Sequence, residues 1–201
     1  MRETFDIAGR HFARVTLPSC ATDEVRMVQE GWFFADRTVK TSIPLAKVTM
    51  DLKRFQRLPM EETEGYREDI FHIAHESFTQ DRRFHVAPEC NPEVSAAILR
   101  TWVDALGPTL VCFFREQPVG FLNLQGNFVH LAAVEEKHRA TGAAMGLYAK
   151  AISLARERGF QTLEGRISTQ NTPVMNLYAF FGAQFSEPED VFLREEEGGR
   201  V

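Results

Sequence analysis

Three β-rich runs stand in immediate succession, Thr109 to Phe114, Val119 to Leu124 and Phe128 to Val134, separated by Arg115-Glu116-Gln117-Pro118 and Gly126-Asn127. Runs this close are joined by tight turns, so they form an antiparallel meander. Gly142 to Arg158 follows, with Ala144, Leu147, Tyr148, Ala151, Ile152 and Ala155 at helical spacing and Gly159 as a left-handed cap. A strand at Thr162 to Ile167, a helix at Thr172 to Phe181 ending at Gly182, and a strand near Val191 to Arg194 complete this half. A meander continued by strand, helix, strand units argues for an α/β protein with a mixed sheet.

The first half has a different rhythm. Strand-like runs at Arg14 to Leu17 and Val39 to Ile43 flank a periodic stretch, Thr22 to Glu30, that stops at Gly31. Residues 1–52 are therefore expected to be a small N-terminal α/β lobe. The polar stretch KRFQRLPMEETE, from Lys53 to Glu64, marks the boundary to a second domain spanning 53–201. Helices are expected at Tyr66 to Phe78 and Pro92 to Leu106, joined by the polar segment Thr79 to Asn91. Setting Gly31 on Gly182, an offset of 151 residues, superposes strand, loop, helix, glycine and aromatic strand. Met27 then falls on Tyr178, so a first copy would carry the architecture without the titratable side chain; chance coincidence is the other explanation, since helices ending at Gly before a strand are common.

Composition excludes several classes. A chain of 201 residues buries about 70% of its unfolded surface without staples. Its formal charge of -5 leaves no global footprint for a phosphate backbone, so no nucleic-acid partner is expected. No apolar run reaches membrane-spanning length and the start, MRETFDIAGRHF, has no signal-peptide core; a cytoplasmic protein with no membrane partner is expected. Cys20, Cys90 and Cys112 are odd in number and form no CxxC pair, which suggests reduced, structural thiols. His72, His75 and Glu76 share a helix face but match neither HExxH nor HxxEH, so no metal is expected.

Two segments carry chemistry. Val134-Glu-Glu-Lys-His-Arg139-Ala140-Thr141-Gly142-Ala143-Ala144 lies between a strand and a helix start. Unpaired N–H groups and the helix dipole favour an anion there, Gly142 admits a pyrophosphate, and the alanines add little bulk. Helix-start packing is the bland alternative. Neither a Walker loop nor GxGxxG is present. The second segment, Asn171-Thr-Pro-Val174-Met-Asn-Leu177-Tyr178, again follows a strand. The Asn171 amide can bond an extended ligand, and Tyr178, protonated near neutrality, can give a proton to a thiolate. Anchoring of the helix to the sheet is the competing role for Leu177 and Tyr178.

In this order the two segments resemble the GNAT superfamily of acetyl-CoA-dependent N-acetyltransferases. The family's Arg/Gln-x-x-Gly-x-Gly/Ala loop is matched by Arg139-Ala-Thr-Gly142-Ala-Ala144, and its Asn-x-x-Ala-x-x-Leu-Tyr pattern by Asn171, Val174, Leu177 and Tyr178, with Val174 in place of Ala. The resemblance spans Tyr66 to Arg194. It implies the GNAT fold, a central, mostly antiparallel twisted sheet with flanking helices. It also implies acetyl-CoA as cosubstrate, pyrophosphate on the loop, pantetheine between the strands ending near Val134 and Ile167, and Tyr178 as general acid. Main-chain N–H groups between Leu131, Ala132 and Val134 are implied as the oxyanion site. His130, Glu135, Glu136 and His85 are the candidate bases for the acceptor amine, and nothing in the sequence singles one out.

A narrower resemblance covers LPSCATDEVRMVQEGWFFADRTVKTSIPL and SFTQDRRFHVAPECNPEVSAAILRTWV, which are similar to the dTDP-fucosamine (dTDP-4-amino-4,6-dideoxygalactose) N-acetyltransferases of surface-polysaccharide assembly. It implies a nucleotide-sugar acceptor, with Arg82, Arg83, His85 and His130 as substrate-binding residues. A solvated turn is the plain reading of the two arginines. A homodimer is expected by analogy alone. Acetylation of another small or peptide amine, and non-catalytic acyl-CoA binding, are the alternatives.

Overall fold

The computed structural model describes residues 2–7, 10–78 and 92–196. Strands β1 (Arg2–Ile7) and β2 (Arg10–Pro18) lead into helix α1 (Ala21–Gln29) and β3 (Phe33–Pro44). Strand β4 (Met60–Thr63) precedes helices α2 (Arg67–Ser77) and α3 (Pro92–Asp104). The expected meander is β5 (Thr109–Phe114), β6 (Gln117–Gln125) and β7 (Phe128–Val134), and α4 (Ala143–Glu157), β8 (Thr162–Ser168), α5 (Thr172–Phe180) and β9 (Gln184–Glu196) follow.

The strands form one nine-stranded sheet in the order β1-β2-β9-β3-β8-β7-β6-β5-β4. Among the described residues only β7 and β8 run parallel. Strand alternation fills both faces: Leu110 and Leu122 join the core under α4 and α5, while their neighbours Val111 and Phe121 join the core under α2 and α3. Helix α4 buries Leu147, Tyr148 and Ile152 in the first core. Each large apolar side chain so enclosed contributes about 1.5–3 kcal/mol. Gly146 lets this helix approach the short turn Leu52–Phe55, where a Cβ would lie 2.9 Å from the Phe55 carbonyl oxygen.

The division expected at residue 53 does not separate two bodies of the sheet. Residues 1–52 supply β1, β2 and β3, and β3 lies between β8 and β9. The polar stretch read as a boundary contains β4, whose residues Met60 to Thr63 pair with Cys112 to Thr109 at the sheet edge. An edge strand with one solvated side tolerates charges such as Glu61 and Glu62, so its sequence reads as a linker.

The internal repeat is visible in the pairing. Thr38 faces Glu189 at the centre of the β3–β9 ladder; on one side Phe33 faces Leu193 and Phe34 faces Phe192, and on the other Ser42 faces Gln184 and Thr41 faces Phe185. Exchanging the residues of these pairs with those 151 positions away returns the same set of pairs, as a local twofold axis perpendicular to the sheet does, while the ladder's irregularities at Phe34/Asp36 and Thr38/Lys40 depart from it. It relates β2-α1-β3 to β8-α5-β9. Both helices end at a left-handed glycine, Gly31 (φ 82°) and Gly182 (φ 79°).

Beside this axis Arg37 clamps Asp190 with two bonds, Nε to Oδ1 at 2.6 Å and one terminal nitrogen to Oδ2 at 3.0 Å, and reaches Glu24 of α1 at 3.0 Å. Bonding to Asp190 raises the Arg37 guanidinium above its ordinary pKa. Asp190 is buried whereas Arg37 is partly exposed. Removing the cation strands a buried carboxylate, so Arg37→Met should destabilise the fold by roughly 2–4 kcal/mol in chemical denaturation. A loss below about 0.5 kcal/mol would show the pair to be incidental.

Candidate active site

Strands β7 and β8 pair only at Phe128 with Glu164 and Val129 with Gly165, and then separate. The separation begins where β7 is irregular on its other side. Leu124 of β6 faces Val129 and Asn123 faces Leu131, so His130 is an extra residue without an opposite number. Such a bulge bends the strand and increases its twist, which turns β7 away from β8.

Alternation decides which main-chain groups line the wedge. Glu135 N–H donates to the Val119 carbonyl across the β6 side (2.9 Å), so Leu131 and Ala133 direct N–H and C=O toward β6, and Ala132 and Val134 direct theirs into the wedge. On β8, Thr169 N–H bonds the Arg37 carbonyl of β3 (2.8 Å), which leaves Arg166 and Ser168 facing the wedge. Ala132 and Val134 thus present main-chain groups to the wedge. Leu131 does not: its main chain is spent on β6 and its side chain lies in the core under α2 and α3.

The loop closes one end of the wedge. Residues Glu136–Thr141, including Arg139 and Ala140, form a 3-10 turn, and Gly142 at φ 84° starts α4. Only glycine adopts this conformation without strain, and nothing lies within 4 Å of its missing Cβ. The first bond of α4 runs from Gly146 N–H to the Gly142 carbonyl (2.9 Å), so Ala143, Ala144 and Met145 have no acceptor within the helix for their N–H groups. Thr141 Oγ1 turns back to the His138 carbonyl (2.6 Å). Arg139 is exposed, bonds only the Val134 carbonyl (3.4 Å), and pairs with no carboxylate among the described residues. An uncommitted cation beside unpaired N–H groups suits a pyrophosphate.

Of the candidate bases, Glu135 is held by His138 Nδ1 (2.9 Å) and Lys137 Nζ (3.1 Å). Glu136 is exposed in the turn. His130 is exposed on the bulge, its ring tilted 60° against that of Phe128 with centroids 4.9 Å apart, and desolvation lowers its pKa. Asn171 caps α5: its Oδ1 accepts the Val174 N–H (3.2 Å), which leaves only the amide NH2 for a ligand. Arg82, Arg83 and His85 lie outside the described residues, as does Cys90. Among the described residues no group of three or more His, Cys, Asp or Glu could hold a metal ion, and no helix is long and apolar enough to cross a membrane.

Tyr178 is fully buried, edge-on to Tyr148 with centroids 5.1 Å apart. Its hydroxyl lies against Gly165, the last β8 residue paired with β7. Burial raises its pKa, and the nearby hydroxyls of Tyr148 and Thr41 draw it back. The sequence reading passed over Gly165, although glycine inside a strand signals close approach. A Cβ built on Gly165 would overlap the Tyr178 hydroxyl. Gly165→Ala should therefore cost roughly 1–3 kcal/mol of stability, and Tyr178→Phe in the same chain should recover most of that, as read by denaturant midpoints. Equal losses in both backgrounds would place the hydroxyl elsewhere.

Known structures share the fold. A conserved protein of unknown function from Staphylococcus epidermidis superposes with a TM-score of 0.62 at 11% identity, over 98% of this chain and 72% of that one. A GCN5-related N-acetyltransferase from Sphaerobacter thermophilus gives 0.57 at 16%, over 94% of this chain and 61% of its own, so this chain spans about three-fifths of that protein. YjaB from Escherichia coli gives 0.52 at 20%, with 71% of this chain covering 99% of it. Among curated proteins none matches the sequence significantly. The model of the acetyltransferase (GNAT) family matches residues 67–183, which includes the wedge, the Arg139–Ala144 loop and Tyr178, and the chain belongs to that family.

Proposed function

We propose that the chain transfers the acetyl group of acetyl-CoA directly to a primary amine in a ternary complex. One observation carries this reading: two parallel strands that part after a single short ladder, so that Ala132 and Val134 of β7 and Arg166 and Ser168 of β8 turn main-chain groups into the gap, with an anion-ready helix start at its end. Pantetheine contains two amides and would pair with such edges as an added strand does. Ala143, Ala144 and Arg139 would hold the pyrophosphate.

The chain's own groups supply the remaining steps. The N–H groups of Ala132 and Val134 stabilise negative charge on the carbonyl oxygen as the amine attacks the thioester carbon. The C–N bond forms, the C–S bond breaks, and Tyr178 gives its proton to the sulfur. His130, favoured as neutral imidazole by its lowered pKa, takes one proton from the acceptor ammonium before the free amine attacks, and the second nitrogen proton, lost as the amide forms, returns the Tyr178 phenolate to its neutral form. For the acceptor we propose a dTDP-linked 4-amino-4,6-dideoxyhexose; the support is the first-half sequence resemblance, and Arg82, Arg83 and His85 are the residues it names.

Thiol release with dTDP-4-amino-4,6-dideoxygalactose, its gluco epimer and spermidine tests the proposal. Saturable turnover on one dTDP sugar, with product mass raised by one acetyl group, supports it. Turnover on spermidine alone replaces the acceptor, and tight CoA binding with no thiol release on an amine panel makes the wedge a binding site only. Tyr178→Phe should lower kcat about 100-fold or more, and Arg139→Ala should raise KM for acetyl-CoA about tenfold while leaving the amine KM unchanged. The acid limb of kcat/KM for the amine should lie below the ordinary histidine value of about 6.5, because a base must be neutral and His130 stays neutral to lower pH. His130→Gln should abolish that limb; an unchanged profile would assign the base elsewhere.

A further inference from the structure

We propose that Thr41, on a strand of the N-terminal half, is a positioning residue that holds the Tyr178 oxygen while the Tyr178 proton is directed at the departing sulfur. The inference rests on Tyr178 acting as the acid.

Two buried hydroxyls share one spot. Thr41 and Tyr178 are both 0% exposed, and both meet the place a Gly165 side chain would occupy, with Thr41 Oγ1 3.2 Å from it. Thr41 faces Gly165 directly across the β3–β8 ladder. Neither hydroxyl has a hydrogen-bond partner among the described residues. A buried hydroxyl without a partner is costly, so a purely structural site would have an apolar residue here.

The chain contains that apolar version. Under the local twofold, Tyr178 corresponds to Met27 and Thr41 to Phe192. Met27 and Phe192 pack together with Ala13 and Trp32 in a cluster of the same kind, with no hydroxyl at either position. The architecture is thus satisfied without polar groups, and only the copy beside the wedge has them.

The chemistry assigns their order. A phenol whose proton points at sulfur can accept at its oxygen, and charge grows on that oxygen as the proton leaves. The Thr41 proton is committed to no acceptor among the described residues, so it is available to Tyr178 Oη as charge develops there. Tyr148 of α4 is the titratable group packed on Tyr178. Lys40, Glu164 and Arg166 alternate to the opposite side of β3 and β8, and Lys40 and Arg166 pair with carboxylates there.

Thr41→Val keeps the shape and removes the donor. We expect kcat about tenfold lower, both KM values within about twofold, and the thermal midpoint equal or higher. Loss of the donor leaves the phenolate less stabilised, so the alkaline limb of kcat should move up by about half a unit or more. Thr41→Ser should restore rate and limb. In a Tyr178→Phe background Thr41→Val should change kcat no further. If Tyr178→Phe lowers turnover but Thr41→Val leaves rate and limb unchanged, or if Tyr148→Phe alone moves the limb, the Thr41 assignment is overturned. If Tyr178→Phe leaves turnover intact, the acid reading itself is overturned.

Discussion

The parting of β7 from β8 after Val129 and Gly165 is the constraint on which the rest of the site depends. A parallel pair this far inside a nine-stranded sheet would ordinarily continue, since unpaired strand edges leave N–H and C=O groups without partners. The extra residue at His130 prevents that by turning β7 outward. Once the strands part, Ala132, Val134 and Arg166 turn main-chain groups into the gap, where the proposed pantetheine, with amides of its own, would pair with them and its anionic end would meet the helix that starts at Gly142.

The N-terminal half holds this arrangement open from the other side. Strand β3 pairs along the whole of β8, from Pro44 with Thr162 to Thr38 with Ser168, so β8 keeps its course after losing β7. The Arg37–Asp190 clamp ties β3 to β9 at the same level, and Glu24 adds α1 to it. The Ser168 hydroxyl donates to Asp36 Oδ1 (2.8 Å) and accepts the Gln170 N–H (3.1 Å), which fixes the turn from β8 into α5. The cap at Asn171 then sets the entry of the helix that carries Tyr178. A lobe standing beside the sheet could do none of this; a strand within it can.

Much of this was legible in the chain. Turn spacing announced the meander, glycines at 31, 142, 159 and 182 marked element ends with positive φ, and the Arg139–Ala144 loop falls where the helix begins. The repeat was readable as an offset because each copy needs the same helix stop before the same aromatic strand. Three things were not legible, each for a physical reason. Strand β4 is an edge and carries charges, so it lacks the apolar alternation of β5 and β6. Placement of β3 between β8 and β9 is a long-range pairing that no local pattern encodes. Asn171 has a side chain suited equally to a ligand and to a helix start, and only the Val174 N–H decided between them.

For the proposed role of Tyr178 as the acid, its burial sets a chemical problem that the surroundings answer. An alkyl thiol titrates near 8.5 and a phenol near 10, so passing a proton from Tyr178 to a thiolate is uphill before the protein acts. Desolvation makes this worse, because it raises the phenol further. The same enclosure also desolvates a thiolate in the wedge and makes it a stronger base, which narrows the gap from the other side. What remains must be met where charge develops, at the phenolate oxygen. Donors there act only as the proton leaves, and so favour the transition state over the bound substrate. A fully apolar pocket of the kind built around Met27 would keep the fold and leave the phenolate unsupported; the hydroxyls beside Gly165 make the difference between the two copies.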